Sequence, residues 1–484
     1  MARRSVVVVG GGISGLAAAW ELSGGAEGPG EDTPRVELLE SSTRLGGALA
    51  TTTFAGRVID LGADGFLARR PEATSLVREL GWDDQLEPIA TSGASLWLRG
   101  ALREIPTGLA LGVPTSSASV RSVAGLSWRA RWQARRDELL PRRLEIGEDA
   151  SIGEIVRTKL GDELAYQFIE PMVGGIQAGR IDQLSARSVF PALLDAAREG
   201  GSLMRALATK GPVQPGPAAA VTVGPMFYSL RGGVGSLAPE LARRLLERGV
   251  VVRVGAPVTA LRRSGSGQYP WEVDTERTTT PADGLVIASP APVAGRLLGS
   301  FDPALAALCD VDYAGAAMIT FCVARGNVSL PDRGTGVLVP LATAWSGHDS
   351  MMVTAVTLLD RKWPRLVRED DVLLRAHVGR SDDRRWMSMD DEQLAARVAA
   401  ELAVLLGHFT SPLDRLVQRW PGGLPQYYVK HDQMVAAARE GARSLGVSLA
   451  GSAYDGVGVP ACIGSGRRAA REALALLERG RATR

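Results

Sequence analysis

The sequence predicts an α/β protein built around a doubly wound parallel sheet, with a second domain of mixed sheet and a helical insertion. Three observations predict it: a strand, glycine turn and helix at the start of the chain, a short apolar strand before a closing helix at its end, and a long stretch of helical spacing between them. With 484 residues, the chain exceeds what one hydrophobic core usually organises. Two or three subdomains are therefore expected.

The first unit is a buried strand, Val6 to Val9, that runs into a glycine-rich turn and a helix. In such a turn, Gly10 permits the tight bend, Gly12 lets a pyrophosphate approach the backbone, and Gly15 permits close packing of strand and helix. The free N–H groups at the helix N-terminus also favour a phosphate. The unit predicts a dinucleotide site formed by Gly10, Gly11, Gly12, Ile13, Ser14 and Gly15.

The second strand, Arg35 to Glu40, ends in a carboxylate. At this point of a dinucleotide-binding fold, an acid accepts hydrogen bonds from the adenosine ribose. Glu40 lies 25 residues past Gly15, and the loop Gly24 to Pro34 accounts for the long spacing.

A second glycine pair follows in Arg44-Leu45-Gly46-Gly47. This segment is similar to that of flavoproteins of the glutathione-reductase class, in which the chain folds around the FAD pyrophosphate. The similarity implies FAD contacts at Gly47 and at Arg44, which is either a phosphate or ribose partner or a solvated surface arginine. Further on, Gly62-Ala63-Asp64-Gly65 places small residues where backbone could pass beside a flavin ring.

The middle of the chain is predicted to contain a helical region, a loop and then a region of β-strands. Residues from about Ser116 to Lys210 are predicted to be mostly helical, with Trp128 and Trp132 four apart in an arginine-rich helix, and Gly211 to Pro225 is predicted to be a loop or boundary. Beyond it, apolar runs at 318–323, 337–341 and 351–359 alternate with turns and predict an antiparallel sheet. The last strand, 448–451, precedes a loop and a closing helix that begins near Cys462.

We therefore expect a discontinuous chain organisation. Residues 1–90, 222–292 and 440–484 would form the FAD-binding domain, residues 91–115 and 293–439 the substrate-binding domain, and residues 116–221 the helical domain.

Composition excludes several classes of protein. The net charge of +2 is too near neutral for a nucleic-acid binder or a general membrane-surface binder, and no stretch approaches membrane-spanning length. Three scattered cysteines fit a reducing compartment, so we expect a cytoplasmic protein. No metal site is expected, because no metal spacing is present among His348, His377, His408 and His431.

The C-terminal stretch Ala450 to Gly466 resembles the protoporphyrinogen/coproporphyrinogen oxidase family, within the amine-oxidase-like flavoproteins. The resemblance covers essentially the whole chain and leans toward the coproporphyrinogen III oxidases of monoderm bacteria. Further matching segments are Glu170 to Ile176, Phe227 to Gly233, Gly334 to Pro340, Arg419-Trp420 and Pro425 to Tyr427. The chain departs from the family pattern at Gln177, Ser452, Ala461 and Lys430, the last standing where Gly often precedes the histidine.

The resemblance implies non-covalent FAD with further contacts at Val258, Trp420, Val457, Gly458 and Val459. Val258 would hold the adenine through its backbone or is an ordinary strand valine; Trp420 would cover the flavin or simply fills the core. In this family, a porphyrinogen loses six electrons, hydride passes to the flavin, and molecular oxygen reoxidises it to give hydrogen peroxide. Because the cofactor carries the chemistry, no catalytic acid or base is assigned.

The substrate would be coproporphyrinogen III, with four propionates, or protoporphyrinogen IX, with two. More carboxylates favour an arginine-rich cavity mouth, for which the candidates are Arg69, Arg70, Arg99 and Arg103, unless each is merely solvated. The expected partners are this substrate, oxygen and, transiently, the next enzyme of haem biosynthesis.

Two rival functions stay open: another oxidase of the amine-oxidase superfamily, and a flavin-free carrier of the same fold. Against the first, no cysteine for a covalent flavin occurs around Trp420, and no lysine lies near residues 318–323. Against the second, the glycine segments are intact.

Overall fold

The computed structural model describes residues 3–106, 108–121, 123–140, 143–210, 225–264, 270–341, 343–346 and 349–482. His348, nearly all of the predicted boundary Gly211 to Pro225, and the point at 221/222 where two predicted domains meet lie outside the described residues.

A five-stranded parallel sheet takes its strands from both ends and from the middle of the chain. In sheet order these are β12 (Val251–Arg253), β2 (Arg35–Leu39), β1 (Ser5–Val9), β16 (Gly284–Ile287) and β24 (Val447–Leu449).

Both faces of this sheet are covered, so alternate residues of β1 enter different cores. Val6 and Val8 pack on the side of α1 (Ile13–Leu22), α11 (Leu237–Glu247) and α18 (Val459–Ala482). Val7 and Val9 pack on the side of α12 (Ala291–Leu298) and α16 (His431–Ser444). The predicted doubly wound α/β fold is confirmed.

A seven-stranded sheet forms the second large layer. Its strands, in sheet order, are β23 (Asp414–Pro425), β17 (Tyr313–Ala324), β22 (Asp371–Val378), β21 (Val353–Leu358), β18 (Gly336–Leu338), β7 (Ser95–Leu98) and β8 (Ala101–Glu104). The three predicted apolar runs are β17, β18 and β21. All neighbours are antiparallel except β18 and β7, so the sheet is mixed rather than purely antiparallel. Helix α15 (Asp391–Leu406) packs on it through Leu394, Val398 and Leu402.

Residues 117–209 are largely helical, as their spacing predicts. The helices are α3 (Ser117–Arg121), α4 (Trp128–Leu139), α5 (Ile152–Leu160), α6 (Asp162–Leu164), α7 (Glu170–Gln177), α8 (Ala186–Val189), α9 (Pro191–Arg198) and α10 (Leu203–Thr209), with a π-helical turn at Ala165–Ile169. Serine side chains accept hydrogen bonds from backbone N–H groups at the starts of α4, α5, α8 and α10, which satisfies donors that a helix leaves unpaired.

Short elements connect these layers. They are β3 (Thr51–Phe54), β4 (Arg57–Asp60), β5 (Phe66–Leu67), β6 (Leu86–Pro88), β9 (Leu109–Ala110), β10 (Val113–Pro114), β11 (Phe227–Leu230), β13 (Val258–Arg263), β14 (Trp271–Thr275), β15 (Thr279–Ala282), β19 (Ala344–Ser346), β20 (Asp349–Ser350), α2 (Pro71–Glu79), α13 (Pro303–Ala306), α14 (Leu359–Lys362) and α17 (Ser452–Asp455). One predicted boundary is wrong: the closing helix begins at Val459, not near Cys462. In the part of the chain that the structure describes, no helix is both long and apolar enough to cross a bilayer.

Candidate functional site

The glycine turn between β1 and α1 is shaped by contacts that a side chain would break. A Cβ on Gly10, whose φ is +107°, would lie 2.8 Å from the Ala288 carbonyl oxygen, and one on Gly15 would lie 1.8 Å from the Gly10 carbonyl oxygen. A Cβ on Gly12, by contrast, would meet no heavy atom within 4 Å. As the N-cap residue of α1, Gly12 has no side-chain acceptor to offer the N–H groups of Ile13 and its neighbours. Open space beside unpaired helix donors suits a phosphate.

Glu40 lies against this turn. Its carboxylate accepts hydrogen bonds from the backbone N–H of Gly11, at 2.6 Å, and of Ser42, at 2.7 Å. The Ala256 N–H donates to the Glu40 carbonyl oxygen at 2.8 Å, so the chain leading into Val258 runs beside it. Glu40 therefore sits where a ribose acceptor is expected, but its carboxylate also organises the turn itself.

The second glycine pair packs directly on the first turn. The Gly46 N–H donates to the Gly11 carbonyl oxygen at 2.8 Å, and a Cβ on Gly47 would lie 3.4 Å from the Gly12 Cα. The exposed Arg44 guanidinium donates to the Gly47 carbonyl oxygen at 2.6 Å. Arg44 is therefore bonded to a carbonyl of its own loop, and that loop lies beside the open space at Gly12.

The segment Gly62 to Gly65 joins the turn region to the mixed sheet. The Trp420 indole N–H, on β23, donates to the Leu61 carbonyl oxygen at 3.0 Å, and a Cβ on Gly62 would lie 3.9 Å from the Trp420 ring. A Cβ on Gly65 would lie 2.7 Å from the Trp363 ring. A Cβ on Gly62 would also lie 2.2 Å from the Ala48 carbonyl oxygen, so backbone at Gly62 and the Trp363 ring at Gly65 exclude larger residues from both positions.

Ala63 and Asp64 lie between these two glycines. Ala63 is exposed, whereas Asp64 forms an ion pair with Lys362, with 2.7 Å between Oδ1 and Nζ. Burial by itself would raise the pKa of Asp64, but attraction to Lys362 and Arg375 outweighs it and lowers the pKa to about 2. Asp64 is therefore ionised at neutral pH.

Three more buried ionisable groups, Asp60, Arg375 and His377, interact electrostatically with this pair. No sequence pattern indicated that these groups lie together. Arg375, 2% exposed on β22, donates to the Asp60 carbonyl oxygen and, at 3.1 Å, to the Thr320 hydroxyl. Burial raises the pKa of the Asp60 carboxyl to about 6. Burial, assisted by repulsion from Arg375, lowers the pKa of His377 to about 4, so this imidazole, 3.1 Å from the Thr357 hydroxyl, is neutral at physiological pH.

The loop between β24 and α18 is held by side chains from several elements. Asp455 accepts hydrogen bonds from Arg439, at 2.6 Å, and from Arg468, at 3.1 Å. The His431 ring lies 2.8 Å from the Ala453 carbonyl oxygen. These contacts fix the position of Val457, Gly458 and Val459, the last of which starts α18.

Helix α18 packs closely on α1. A Cβ on Gly466 would lie 2.1 Å from the Ser14 carbonyl oxygen, so the two helices touch there through backbone. Residues 457–459 lead directly into this helix, whose packing on α1 begins beside Ser14, and their contact with a cofactor stays a prediction. Burial raises the pKa of the Cys462 thiol, on the first turns of α18, to about 11.

The four candidate substrate arginines lie on two different elements. Arg69 and Arg70 are exposed just before α2, where Arg70 pairs with Glu72 at 2.6 Å. Arg99, in the turn between β7 and β8, lies 3.5 Å from a glutamate of α6, and the buried Nε of Arg103, on β8, has no hydrogen-bond partner among the described residues. The four arginines therefore come from two separate segments, one before α2 and one around the β7–β8 turn.

The described histidines and acids do not gather around a metal. His408 is exposed, and within the described ranges no group of three or more His, Cys, Asp or Glu residues could hold a metal ion.

Comparisons with known proteins identify the family. The family model described as flavin containing amine oxidoreductase matches residues 13–474. The chain belongs to this family. The curated relatives include the coproporphyrinogen III oxidases of Bacillus subtilis, 32% identical over 98% of this chain and 99% of that protein, and of Mycobacterium leprae, 34% identical over 97% and 98%.

Other relatives of this flavoprotein carry a related name. The protoporphyrinogen oxidase of Bos taurus is 31% identical over 97% of this chain and 98% of that protein. A crystal structure from Exiguobacterium sp. 255-15, given the provisional name protoporphyrinogen oxidase, is 31% identical, covers 99% of this chain and 100% of its own, and superposes with a TM-score of 0.84. The predicted porphyrinogen-oxidase family, its flavoenzyme fold and FAD as the cofactor are therefore confirmed.

Proposed function

We propose that this flavoprotein oxidises coproporphyrinogen III to coproporphyrin III in haem biosynthesis, with molecular oxygen as the acceptor. The observation that carries the proposal is the full-length likeness to bacterial proteins named coproporphyrinogen III oxidase, at 32% and 34% identity. The reaction removes six electrons and six protons, and each oxygen molecule takes up two of each as hydrogen peroxide.

The residues at the glycine turn fit FAD, because the space at Gly12 is open and the donors of α1 lack a side-chain cap. The chemistry that bound FAD would supply is acceptance of hydride from a bridging carbon of the macrocycle and transfer of the electrons to oxygen. The role of the chain would be to position the cofactor. Residues Gly10 to Gly15 would hold the pyrophosphate, Glu40 would hold the ribose, and the backbone of Val258 would hold the adenine. Arg44 would turn from its loop carbonyls toward a phosphate.

Further residues would enclose the flavin ring. Trp420 and residues 457–459 would cover it, and the segment Gly62 to Gly65 would pass beside it. Gly47 packs against Gly12 and would complete the cradle.

Asp64 would orient the macrocycle. Its carboxylate is ionised because its pKa is about 2, and an ionised carboxylate only accepts hydrogen bonds. The pyrrole N–H groups of a porphyrinogen are donors. Lys362 keeps this acceptor in place at 2.7 Å, while His377, whose pKa is about 4, is uncharged at neutral pH and does not act as a general acid there.

The propionates would be bound by arginines among Arg69, Arg70, Arg99 and Arg103. Arg70 and Arg99 already pair with glutamates, so each can exchange one carboxylate partner for another. The second candidate function is oxidation of protoporphyrinogen IX, favoured by the 31% identity to the Bos taurus enzyme. We further propose that the enzyme works in the cytoplasm and touches the next enzyme of the pathway transiently as product is handed on.

An aerobic assay tests this function. Purified flavoprotein is given each porphyrinogen separately, and porphyrin fluorescence, oxygen consumption and peroxide are followed together. Faster oxidation of coproporphyrinogen III, stopped by removing oxygen, is expected. Oxidation of neither porphyrinogen by flavin-loaded protein would refute the proposal, and a colourless purified protein would point to a flavin-free carrier.

A further inference from the structure

Two consecutive buried polar side chains follow strand β23. They are Gln426 and Tyr427, 2% and 3% exposed, in the segment Pro425 to Tyr427 that matches the family pattern. Buried polar groups are normally satisfied by hydrogen bonds, so the partners of these side chains show what they hold in place. One side chain bonds to the end of α7 and the other to the loop before α18.

The Gln426 side chain holds the C-terminal end of α7. Its amide Nε2 donates to the carbonyl oxygen of Gln177, the last residue of α7, at 2.8 Å, and to that of Leu424 at 3.1 Å. A Cβ on Gly179 would lie 2.2 Å from Gln426 Oε1, so the amide packs directly on the chain that leaves the helix. Loss of the amide would remove this donor from Gln177 and loosen the end of α7.

This end of α7 borders accessible space beside the mixed sheet. Ile176 is 44% exposed, whereas Gln177, one residue further on, is 5% exposed. A Cβ on Gly175 would lie 3.8 Å from Leu338 Cδ2, on β18. The exposed side of α7 therefore lies next to the sheet, and a ligand in this space would contact both.

The Tyr427 side chain holds the loop before α18. Its hydroxyl donates to the Ser452 carbonyl oxygen, and burial raises the pKa of this hydroxyl far above its ordinary value, so that it remains a donor. Its ring stacks on the His431 ring, with 4.6 Å between the centroids, and the His431 ring lies 2.8 Å from the Ala453 carbonyl oxygen. Two consecutive carbonyl groups are thus held just before residues 457–459.

We propose that Gln426 and Tyr427 are positioning residues, the first placing α7 beside the macrocycle and the second placing residues 457–459 beside the flavin. The inference rests on the proposed function for the macrocycle and on the proposed cofactor contact at residues 457–459. Rates of group transfer respond to displacements of about 1 Å, so a segment that holds both sides would matter without touching either reactant.

Release of FAD tests the role of Tyr427. Full-length, FAD-loaded protein is diluted, and the appearance of free flavin is followed by fluorescence. Tyr427→Phe should release FAD about fivefold faster or more, because the Ser452 carbonyl oxygen loses its donor. The matched control is Tyr428→Phe, which removes a neighbouring hydroxyl that donates to Asp312 at 2.9 Å and should release FAD as the wild type does.

Porphyrinogen binding without turnover tests the role of Gln426. Coproporphyrinogen III is mixed anaerobically with protein whose flavin has been reduced beforehand, and the free fraction is separated by ultrafiltration, oxidised with iodine and measured by fluorescence. Gln426→Met keeps the shape of the side chain and should raise the Kd about fivefold or more, because the Gln177 carbonyl oxygen loses a donor. Gln433→Met, which removes an amide that donates to Glu148 at 3.0 Å, is the control.

The expected result is a crossed pattern, in which Tyr427→Phe mainly changes FAD release and Gln426→Met mainly changes porphyrinogen binding. A lower thermal midpoint with both of these readouts unchanged would show that the segment only stabilises the fold, and it would overturn the proposal. The proposal also fails if each control behaves like its partner variant, or if the wild type binds no porphyrinogen. Binding that responds to Gln426→Met, without oxidation by the wild type in air, would contradict the proposed function alone.

Discussion

The Lys362 ammonium lies 2.7 Å from a carboxylate oxygen of Asp64, and this ion pair fastens the loop after β4 to helix α14. The two side chains are only 18% and 17% exposed, so water screens their attraction weakly. The pair links the segment beside the proposed flavin position to the mixed sheet.

Lys362→Met should lower the free energy of unfolding by about 3 kcal/mol at pH 7, because it leaves the Asp64 carboxylate without its nearest partner. The folded pKa of Asp64, about 2, lies below the ordinary 3.8, so its contribution is complete above pH 3.8 and is lost as pH falls through 2. The variant should show less of this acid dependence in urea titrations. Lys362→Arg retains the charge and should recover most of the stability; an unchanged Lys362→Met would contradict the role of the pair.

Gly12→Val should fold but fail to retain FAD. The new side chain meets no protein atom at its Cβ, so it would occupy only the space proposed for the pyrophosphate. Gly326→Val is the matched control, since Gly326 is exposed and equally uncrowded but remote in sequence from the turn. Flavin absorbance per protein should be lost in the first variant alone. Near-normal loading of soluble Gly12→Val would show that the cofactor lies elsewhere.

FAD should be released intact by acid or heat. Around Trp420 the chain has no cysteine to form a flavin bond, and the Cys462 thiol, whose pKa is raised to about 11 by burial, is a poor nucleophile at neutral pH. Flavin is therefore expected in the supernatant after denaturation. A precipitate that stays yellow after washing would mean a covalent link.

Coproporphyrinogen III should be preferred over protoporphyrinogen IX by about tenfold or more in kcat/KM. One lost propionate–arginine contact costs about 1.5–3 kcal/mol, and about 1.4 kcal/mol corresponds to a factor of ten. Single changes to Gln at Arg69, Arg70, Arg99 and Arg103 should reduce the preference at one or more positions, mainly through KM. Equal rates for the two substrates, or a ratio that no arginine change alters, would refute the substrate assignment while leaving the flavoprotein assignment intact.

His377 should make the fold less stable in mild acid. Its folded pKa of about 4 is below the ordinary 6.5, so the unfolded chain takes up the proton first and stability falls as pH decreases from 6.5 to 4. The loss amounts to about 3 kcal/mol. His377→Gln should flatten the dependence of unfolding free energy on pH in this window, whereas the exposed His408→Gln should not. A uniform offset at every pH in His377→Gln would argue against the titration.

Local steric demands made the glycine turn predictable. Gly15 is required by its contact with the Gly10 carbonyl five residues earlier, and Gly10 by its own φ of +107°, so a local pattern reports both, although Gly10 also packs on the distant Ala288. The Asp64–Lys362 pair spans 298 residues and depends on how two layers meet, which no local pattern encodes. Likewise, Arg375 and His377 lie on a mostly apolar strand. The sequence pattern therefore does not reveal the electrostatic interactions of these two side chains.

Lys430 illustrates a difference that only the backbone explains. The family often has glycine at this position, and here Lys430 has a φ of +75°, in the left-handed region that favours glycine. Its neighbour His431 still begins α16 and reaches the Ala453 carbonyl oxygen. The departure therefore strains one residue without displacing the loop before α18.

The close packing of Gly466 on Ser14 bears on how the protein is made. Strand β24 joins the sheet beside β16, and α18 covers α1, yet both are translated more than 400 residues after the glycine turn. A nascent chain that still lacks them has its glycine turn but not the cover that completes it. We expect cofactor uptake to follow emergence of residues 447–466 from the ribosome, so that interrupted chains remain flavin-free.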